Sequence, residues 1–359
     1  MAQIDQFLNV LVEQQGSDLH LSTGSPPMIR VHGNLQKVKF RELQAKDMET
    51  LVYEIMEEEW RARFLESLDF DFAYEVPGLA RFRVNVFWQR KGLGAVFRTI
   101  PAKLLTASDL GLPDAVLKLC MLSRGLVLVT GPTGSGKSTT LAAMVDHIND
   151  TRHDHVMTIE DPIEFTHENK KCLVNQREVG SSTRSFANAL RAALREDPDV
   201  ILVGEMRDRE TVELGMTAAE TGHLVFGTLH TNSAPKTVDR IIDVFPSDQQ
   251  DQIRAQLGES LKGVISQVLL RKKDGKGRVA AQEIMVGTSA IANLIRENKI
   301  HQIPSMIQTG RKDGMQLLDQ HIMEFLMQGL IDPREAYMRA SNKSTFKDYL
   351  EEVPQAEFA

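Results

Sequence analysis

The first 98 residues mix helical and extended patterns of apolar residues. Apolar positions from Ile4 to Val12 recur at helical spacing and stop at Gly16, which predicts a short helix. A second helix is predicted over residues 51–65, where apolar positions flank an acidic run. Five runs alternate polar and apolar residues and are predicted strands: 18–22, 28–32, 69–74, 80–87 and 93–98. Residues 1–98 are therefore predicted to form a mixed α+β domain.

The pattern changes after residue 98. Residues 99–113 contain Pro101, Gly111 and Pro113 and have the composition of a linker. Over 114–287, short apolar runs alternate with helical ones, which predicts a parallel sheet in an α/β domain. Its predicted strands are 125–130, 155–160, 199–204, 223–229, 264–270 and 278–285. From residue 288 to 359 a helical region is predicted, with helices at 288–297, 300–309, 314–329 and 332–350.

A glycine-rich stretch between the strand predicted at 125–130 and the helix that follows it fills the pattern G-x-x-x-x-G-K-[S/T]. Glycines let backbone N–H groups turn toward phosphate oxygens, and the helix N-terminus adds partial positive charge. Lys137 is expected to reach the β- and γ-phosphates of ATP, and Ser138 to ligate Mg²⁺ through its hydroxyl. The predicted nucleotide-binding residues are Gly131, Pro132, Thr133, Gly134, Ser135, Gly136, Lys137, Ser138 and Thr139.

Hydrolysis of a bound nucleotide also requires a carboxylate that organises the metal and a base for the attacking water. Two predicted strands end in carboxylates, at the sheet edge where ligands of open α/β sheets bind. Glu160, Asp161 and Glu164 follow the first of these strands, and Glu205 follows the second. The pattern favours catalytic roles for Glu164 and Glu205 over helix capping, and it places Glu205 near Mg²⁺, through water. Glu160 and Asp161 fit a catalytic and a structural role equally well.

Histidines and arginines supply further candidates. His230 ends the strand predicted at 223–229, where it could sense the γ-phosphate, whereas His223 begins that strand and alone is more readily structural. Charge that develops on phosphate in the transition state is often met by a guanidinium, in some enzymes from a neighbouring subunit. The candidate arginines are Arg81, Arg83, Arg98, Arg195, Arg207 and Arg209. Alternation in the first domain equally allows its arginines simply to face water.

Composition limits the class of protein. The 359 residues carry a net charge of -7, which gives no electrostatic surface for wrapping nucleic acid. Two cysteines, Cys120 and Cys172, argue against a disulfide framework and for a reducing compartment. No apolar run approaches the roughly 20 residues that span a bilayer, and the N-terminus lacks a signal-peptide pattern. The sequence predicts a cytoplasmic protein that contacts membranes only through partners.

Together these motifs resemble the secretion ATPase superfamily and, within it, the PilT family of type IV pilus retraction motors, which power twitching motility. Gly16–Leu21 resembles the start of that family's first domain, and 131–139 resembles its Walker A motif. Residues 158–165 resemble its Asp box, 197–208 its Walker B motif, and 221–230 its His box. The resemblance implies a PAS-like first domain, a RecA-like ATPase core and a helical C-terminal region.

The resemblance also implies roles for individual residues. Glu164 becomes the catalytic glutamate, Glu205 the Walker B residue on the metal, and His223 and His230 the His-box pair. Family members form hexameric rings with nucleotide between the first domain of one subunit and the second domain of its neighbour. Of the first-domain arginines, Arg81 and Arg98 are the two that we expect at the site. One departure is Ala292, which stands where the family's C-terminal motif usually has arginine.

The implied partners are other copies of the chain, an inner-membrane pilus platform protein and a paralogous retraction ATPase. The implied location is the cytoplasmic face of the inner membrane. An extension motor or type II secretion ATPase of the same architecture is the nearest alternative, although those motors carry tetracysteine sites and longer N-terminal regions. A nucleotide-gated regulatory subunit and a DNA translocase are further alternatives.

Overall fold

The computed structural model describes residues 2–31, 33–100 and 104–350, and the chain divides into two compact units. Unit 1 comprises Met1–Lys103 and Pro162–Phe165, and unit 2 comprises Leu104–Asp161 and Thr166–Ala359. The segment 162–165, which contains Glu164, thus belongs to unit 1 although it follows a strand of unit 2. Four parts of the sequence predictions lie outside the described residues: Met1, His32, residues 101–103 of the linker and residues 351–359.

Unit 1 is a six-stranded antiparallel sheet with helices. Its helices are α1 (Asp5–Glu13), α2 (Ala45–Tyr53) and α3 (Glu58–Ser67). Its strands are β1 (Asp18–Ser22), β2 (Met28–Val31), β3 (Asn34–Lys37), β4 (Asp69–Val76), β5 (Ala80–Gln89) and β6 (Gly92–Ile100). They pair in the order β3-β2-β1-β6-β5-β4. Alternation along the strands sends Phe82, Val84 and Val86 into the core and leaves Arg83 exposed on the other face.

Unit 1 differs from the sequence predictions in three places. The single helix predicted over 51–65 is wrong, because α2 ends at Tyr53 and α3 begins at Glu58. Between them Glu57 is extended, with φ -65° and ψ 155°, and the apolar Met56 is buried in the core instead of continuing a helical stripe. Strand β3 was not predicted, since all four of its residues are exposed and show no alternation. Thr99 and Ile100, expected in the linker, end β6.

Unit 2 is a seven-stranded sheet with helices. Its strands are β7 (Gly125–Thr130), β8 (His155–Glu160), β9 (Leu173–Glu178), β10 (Val200–Val203), β11 (Leu224–Leu229), β12 (Leu261–Arg271) and β13 (Arg278–Val286). Its α-helices are α4 (Asp114–Cys120), α5 (Lys137–Thr151), α6 (Phe186–Ala193), α7 (Arg209–Glu220), α8 (Ala234–Asp243), α9 (Gln250–Ser260), α10 (Ser289–Arg296), α11 (Ile303–Thr309), α12 (Leu318–Met327) and α13 (Pro333–Arg339). Shorter 3₁₀ turns occupy Ile300–Gln302, Gly310–Asp313 and Lys343–Tyr349. The strand order is β13-β12-β7-β11-β10-β8-β9, parallel except for the antiparallel pair β12 and β13.

The centre of this sheet is buried on both faces. Every residue of β7, β10 and β11 is buried. Along β7, Leu126 and Leu128 pack into one apolar cluster, whereas Val127 and Val129 pack into a second cluster on the opposite face. Leu112 from the predicted linker joins the second cluster, so the end of that segment packs on unit 2. Continuous apolar runs are therefore required here, as is typical of parallel sheets.

Helices α12 and α13 form a small separate core against β12 and β13, which includes Leu270, Ala281, Ile322 and Phe346. The helix predicted over 332–350 is wrong, since α13 ends at Arg339 and a 3₁₀ turn follows at Lys343–Tyr349. The helix predicted from 314 begins at Leu318. Strand β9 was not predicted, because it is an edge strand with exposed residues and an irregular pattern.

Both cysteines are free thiols buried in unit 2. Burial raises the pKa of Cys120 to about 12 and also raises the pKa of Cys172. No helix in the described ranges combines the length and the apolar character needed to cross a bilayer.

Candidate active site

Four neighbouring parallel strands end at one edge of the sheet in unit 2. The pairing of Leu229 with Thr130 and of Val203 with Gly227 aligns β7, β11 and β10, and β8 pairs with β10 in the same direction. The segments that follow these strands therefore begin side by side. They are the glycine-rich loop after β7, Asp161 after β8, Glu205 after β10 and His230 after β11. This is the edge at which α/β sheets bind ligands.

The glycine-rich loop runs from β7 into the first turn of α5. Gly131, Gly134 and Gly136 have φ values of 145°, 77° and 85°, which other residues adopt only with strain. A Cβ on Gly131 would lie 2.4 Å from the carbonyl oxygen of Gln267 and 2.6 Å from Ser135 Oγ. Pro132, Thr133 and Gly134 are exposed at the loop tip. The base of the loop thus packs closely against Gln267, whereas its tip is open to solvent.

Polar groups of the loop match the chemistry of a phosphate. Lys137 Nζ donates hydrogen bonds to the carbonyl oxygens of Gly131 (2.9 Å) and Pro132 (3.1 Å), so the ammonium lies against the loop. Ser135 Oγ is buried and has no hydrogen-bond partner within the described residues. Such a group requires a partner, because an unsatisfied buried hydroxyl costs about 1–3 kcal/mol. Ser138 and Thr139 lie half-buried in the first turn of α5, at its positive end.

Glu205 and His230 meet at the same edge. Glu205 Oε1 lies 3.0 Å from His230 Nε2 and 2.5 Å from Arg207 Nε. Burial by itself raises the pKa of Glu205, but the hydrogen bonds from Arg207 and His230 and the positive charge of Arg207 outweigh burial and lower that pKa. The carboxylate is therefore ionised and held in place, as a metal-organising group requires.

Glu205 is positioned by Gly204, the residue that joins it to the end of β10. Gly204 N donates to the carbonyl oxygen of Ile159 (2.8 Å), and Thr228 Oγ1 donates to the carbonyl oxygen of Gly204 (2.5 Å). A Cβ on Gly204 would lie 3.1 Å from that Ile159 oxygen. Glycine at 204 thus lets β10 end tightly between β8 and β11, and Glu205 emerges directly over the edge.

The first acidic cluster is divided. Glu160 Oε1 accepts hydrogen bonds from Thr158 Oγ1 (2.7 Å) and Gln176 Nε2 (3.2 Å), which fixes it toward the β9 side of the sheet. Asp161 acts electrostatically on Arg207, the partner of Glu205. Glu164 is exposed and lies in the part of the chain assigned to unit 1. Its role as the catalytic glutamate stays a prediction.

His223 lies at the other edge of the sheet. Its carbonyl oxygen accepts a hydrogen bond from the backbone N–H of Gly125 (3.0 Å), the first residue of β7, whereas the glycine-rich loop follows the last residue of β7. His223 Nδ1 is 3.0 Å from the carbonyl oxygen of Ala218. Since a strand rises about 3.3 Å per residue, β11 separates His223 from His230 by roughly 20 Å. The structure does not bring the two histidines together within one chain.

The candidate arginines of unit 1 share the polar face of its sheet. Arg83 and Arg98 are directly opposed on β5 and β6, and Arg81 lies two residues from Arg83, on the same face. Arg98 Nε donates to Asp18 Oδ1 (2.9 Å), and Arg30 lies 3.8 Å from the other oxygen of that carboxylate. Burial raises the pKa of Asp18, but the hydrogen bonds from Ser17 and Arg98 outweigh burial, so its pKa is lowered.

The sequence pattern did not predict a role for Gln267. This residue lies on β12, and its side-chain amide donates to the carbonyl oxygen of Ser135 (2.7 Å) in the glycine-rich loop. It also accepts a hydrogen bond from Thr140 Oγ1 (2.9 Å) in α5. The available signal is the polar pair Ser266 and Gln267, which interrupts the apolar run of a buried strand.

Comparison with known proteins places this geometry in a family. A model of the type II/IV secretion system protein family matches residues 1–353. The type IV pilus retractation ATPase PilT of Pseudomonas aeruginosa is 57% identical over 343 residues, covering 96% of this chain and 99% of its own length. The twitching motility protein of Neisseria gonorrhoeae is 55% identical over 319 residues, covering 89% of this chain and 85% of its own length.

A solved structure supports the same placement. The crystal structure of the pilus retraction motor PilT with bound ADP matches with a TM-score of 0.89 and 49% identity, covering 96% of this chain and 98% of that one. The predicted fold class, a PAS-like α+β domain followed by a RecA-like core and a helical C-terminal region, is confirmed, and so is the resemblance read from the motifs. The chain belongs to the type II/IV secretion system protein family and, within it, to the PilT family of nucleotide-binding ATPases.

Proposed function

We propose that this protein is a hexameric motor that hydrolyses ATP to power type IV pilus retraction. The observation that carries the proposal is the Glu205 carboxylate, held between His230 and Arg207 at the sheet edge where the glycine-rich loop begins. The similarity to the pilus retractation ATPase of P. aeruginosa supports the direction of the work, retraction, because it extends over 96% of this chain.

Each residue of the site has a chemical task in this proposal. The loop 131–139 binds the phosphates, with Lys137 against the β- and γ-phosphates. Ser138 and Glu205 would hold Mg²⁺, and the ion would neutralise charge on the phosphates. The fit is chemical, since a hydroxyl and an ionised carboxylate are oxygen ligands of the kind Mg²⁺ prefers. Glu164 accepts the proton of the attacking water, and His230 orients Glu205 near the γ-phosphate.

Completion of the site requires a second subunit. We place Arg81 and Arg98 of one subunit against the nucleotide of its neighbour, where a guanidinium stabilises charge in the transition state. The contact of Arg98 with Asp18 supports this role. The Arg98 side chain is 67% exposed, and the contact fixes its position. His223 lies at the sheet edge opposite the glycine-rich loop of the same chain. We therefore propose that it acts at a boundary between subunits.

The motor acts on other proteins. We propose that the hexamer works at the cytoplasmic face of the inner membrane, where it turns a platform protein and depolymerises the pilus. A paralogous retraction ATPase is a further partner. Contact with the membrane is through these proteins, and no nucleic acid takes part.

Deleting the gene in its host tests whether the motor retracts or extends the pilus. We expect cells that keep abundant surface pili, seen by electron microscopy, and that no longer spread by twitching. We expect the wild-type gene to restore twitching and Lys137→Ala to fail. Lys171→Ala, which changes an exposed lysine outside the loop, is the control and should restore twitching. Cells without surface pili would instead identify an extension motor, and unchanged pili with lost secretion would identify a secretion ATPase.

A further inference from the structure

A buried amide supports the glycine-rich loop from the neighbouring strand. The side chain of Gln267 is 1% exposed. Its Nε2 donates to the carbonyl oxygen of Ser135 (2.7 Å), and its Oε1 accepts from Thr140 Oγ1 (2.9 Å). One side chain therefore bonds the last turn of the loop and the first turn of α5 simultaneously.

The backbone of Gln267 also limits the loop. Its carbonyl oxygen lies 2.4 Å from the position a Cβ on Gly131 would take, and its Nε2 lies 3.3 Å from the corresponding position on Gly136. The first and last glycines of the loop thus close over the same residue. Since Gly131 is 136 residues before Gln267 in sequence but in contact with it in space, the loop is shaped by β12 as well as by its own glycines.

A second glutamine fixes the first. Gln282 faces Gln267 across the antiparallel pair β12 and β13, and its Nε2 lies 3.4 Å from Gln267 Oε1. The backbone N–H of Gln282 donates to His321 Nδ1 on α12 (3.1 Å), and its carbonyl oxygen accepts from Gln316 Nε2 (2.9 Å). The polar chain therefore continues from the loop to the C-terminal helical region.

We propose that Gln267 is a positioning residue for the nucleotide-binding loop, and that Gln282 holds it in the orientation the loop requires. Without the amide, Ser135 O and Thr140 Oγ1 are left buried and unpaired, so the loop relaxes to arrangements that satisfy them elsewhere. The C-terminal helical region thereby contributes to nucleotide affinity without touching the nucleotide. This proposal rests only on the nucleotide-binding part of the proposed function.

The loop cradles phosphates that remain bound throughout the reaction, so its distortion weakens substrate and transition state alike. Loss of such uniform binding raises KM and leaves kcat nearly unchanged. For Gln267→Leu we expect a rise of about tenfold in KM for ATP and in Kd for a fluorescent ADP analogue, with kcat within about threefold of wild type. For Gln282→Leu, which leaves both loop hydrogen bonds in place, we expect about a threefold rise in each.

Thr140→Val provides a milder variant that preserves side-chain shape, with an expected rise in ADP Kd of about threefold. Its matched control is Ser260→Ala, which removes a buried hydroxyl bonded to the carbonyl oxygen of Gln256 (2.9 Å). Ser260 lies beside Gly125, at the opposite edge of the sheet, so ADP Kd should not change. Full-length protein is used throughout, and thermal unfolding is recorded without nucleotide.

A purely structural role for Gln267 predicts lower thermal stability with an unchanged ADP Kd, and that result would overturn the proposal. An unchanged KM with a large fall in kcat would overturn it too. If Gln267→Leu does not fold, Thr140→Val and Gln282→Leu decide the matter by the same two constants. Because ADP binding is measured directly, the result is independent of whether the protein retracts pili.

Discussion

The contacts of Glu205 and Glu164 differ, and the difference bears on which of the two organises the metal and which acts as the base. Glu205 is ionised and already engaged by His230 and Arg207, so it suits an organising role better than proton transfer. Glu164 is exposed and its segment belongs to unit 1. An exposed carboxylate is open to water, whereas the Glu205 carboxylate is fixed at the sheet edge by His230 and Arg207. This difference favours the assignment of the base to Glu164.

Replacement of Glu164 tests that assignment. Glu164→Gln keeps the shape of the side chain but cannot accept a proton, so ATP turnover should fall by at least about 100-fold. Binding of ADP should remain within about threefold of wild type, since the loop is untouched. Glu168→Gln, a change at an exposed glutamate four residues later, is the control and should turn over normally. Turnover that survives Glu164→Gln would exclude Glu164 as the base.

The chemistry of the loop was predictable from the sequence, but its support was not. All nine residues from Gly131 to Thr139 are contiguous, so a local pattern is sufficient to identify them. Gln267 and Ser135 are 132 residues apart, and only the folding of β12 beside β7 brings them together. The contact between Glu205 and His230 was predictable in part. The sequence predicts that each residue follows a strand, but it does not predict which strands are neighbours in the sheet.

Helix α12 is attached to the sheet through a histidine. His321 Nδ1 accepts the backbone N–H of Gln282 (3.1 Å), and Gln316 Nε2 lies 2.8 Å from the same atom. These contacts require an unprotonated Nδ1. Burial lowers the pKa of His321 below its ordinary 6.5, while the nearby Glu324 opposes that shift. The attachment of α12 is therefore sensitive to acid.

We expect His321 to make folding stability depend on pH. In the unfolded chain the imidazole binds a proton as pH falls through 6.5, but in the folded chain it does so only at lower pH. Between those pH values the unfolded state binds more protons, so the free energy of unfolding falls as pH falls, by up to about 1.4 kcal/mol per pH unit. His321→Asn keeps an acceptor and does not titrate.

Denaturant unfolding of both proteins over a pH range that begins about one unit above the ordinary histidine pKa and extends below it provides the measurement. Burial also lowers the pKa of His20 and His167, so both proteins should lose stability in acid. The difference between them isolates His321: the wild type should lose more. Equal slopes for the two proteins would show that protonation of His321 does not oppose folding.

Elements were predicted best where burial is complete. Strands β7 and β8 were predicted with the bounds observed, because apolar runs that end at glycine or at charged residues mark buried strands. Exposed elements such as β3 and β9 gave no such signal. The break between α2 and α3 was missed because Met56 preserves an apolar rhythm while the backbone there leaves the helix.

The candidate catalytic and binding groups are divided between the two units of the chain. The glycine-rich loop, Glu205 and His230 belong to unit 2, whereas Arg81, Arg98 and Glu164 belong to unit 1. A site assembled from both units of two different subunits would exist only in the proposed ring. The ATPase activity of a sample would then depend on how much of the protein is assembled.

Dilution tests that dependence. Specific ATPase activity should be constant at high protein concentration and fall steeply once the ring dissociates, as followed by light scattering. We expect Lys137→Ala and Arg98→Ala to be inactive alone and a mixture of the two to regain part of the activity, since some junctions would then combine an intact loop with an intact arginine. Constant specific activity in a preparation shown to be monomeric would refute a site shared between subunits.

The two thiols have a practical consequence. Cys120 and Cys172 are buried, and burial keeps both protonated at neutral pH, so neither supplies the thiolate that attacks maleimides and oxidants. A single cysteine introduced on an exposed position would therefore accept a fluorescent dye without competition from the native residues. With one such cysteine labelled on each unit, any change in the distance between the units during ATP turnover could be measured in the otherwise natural chain.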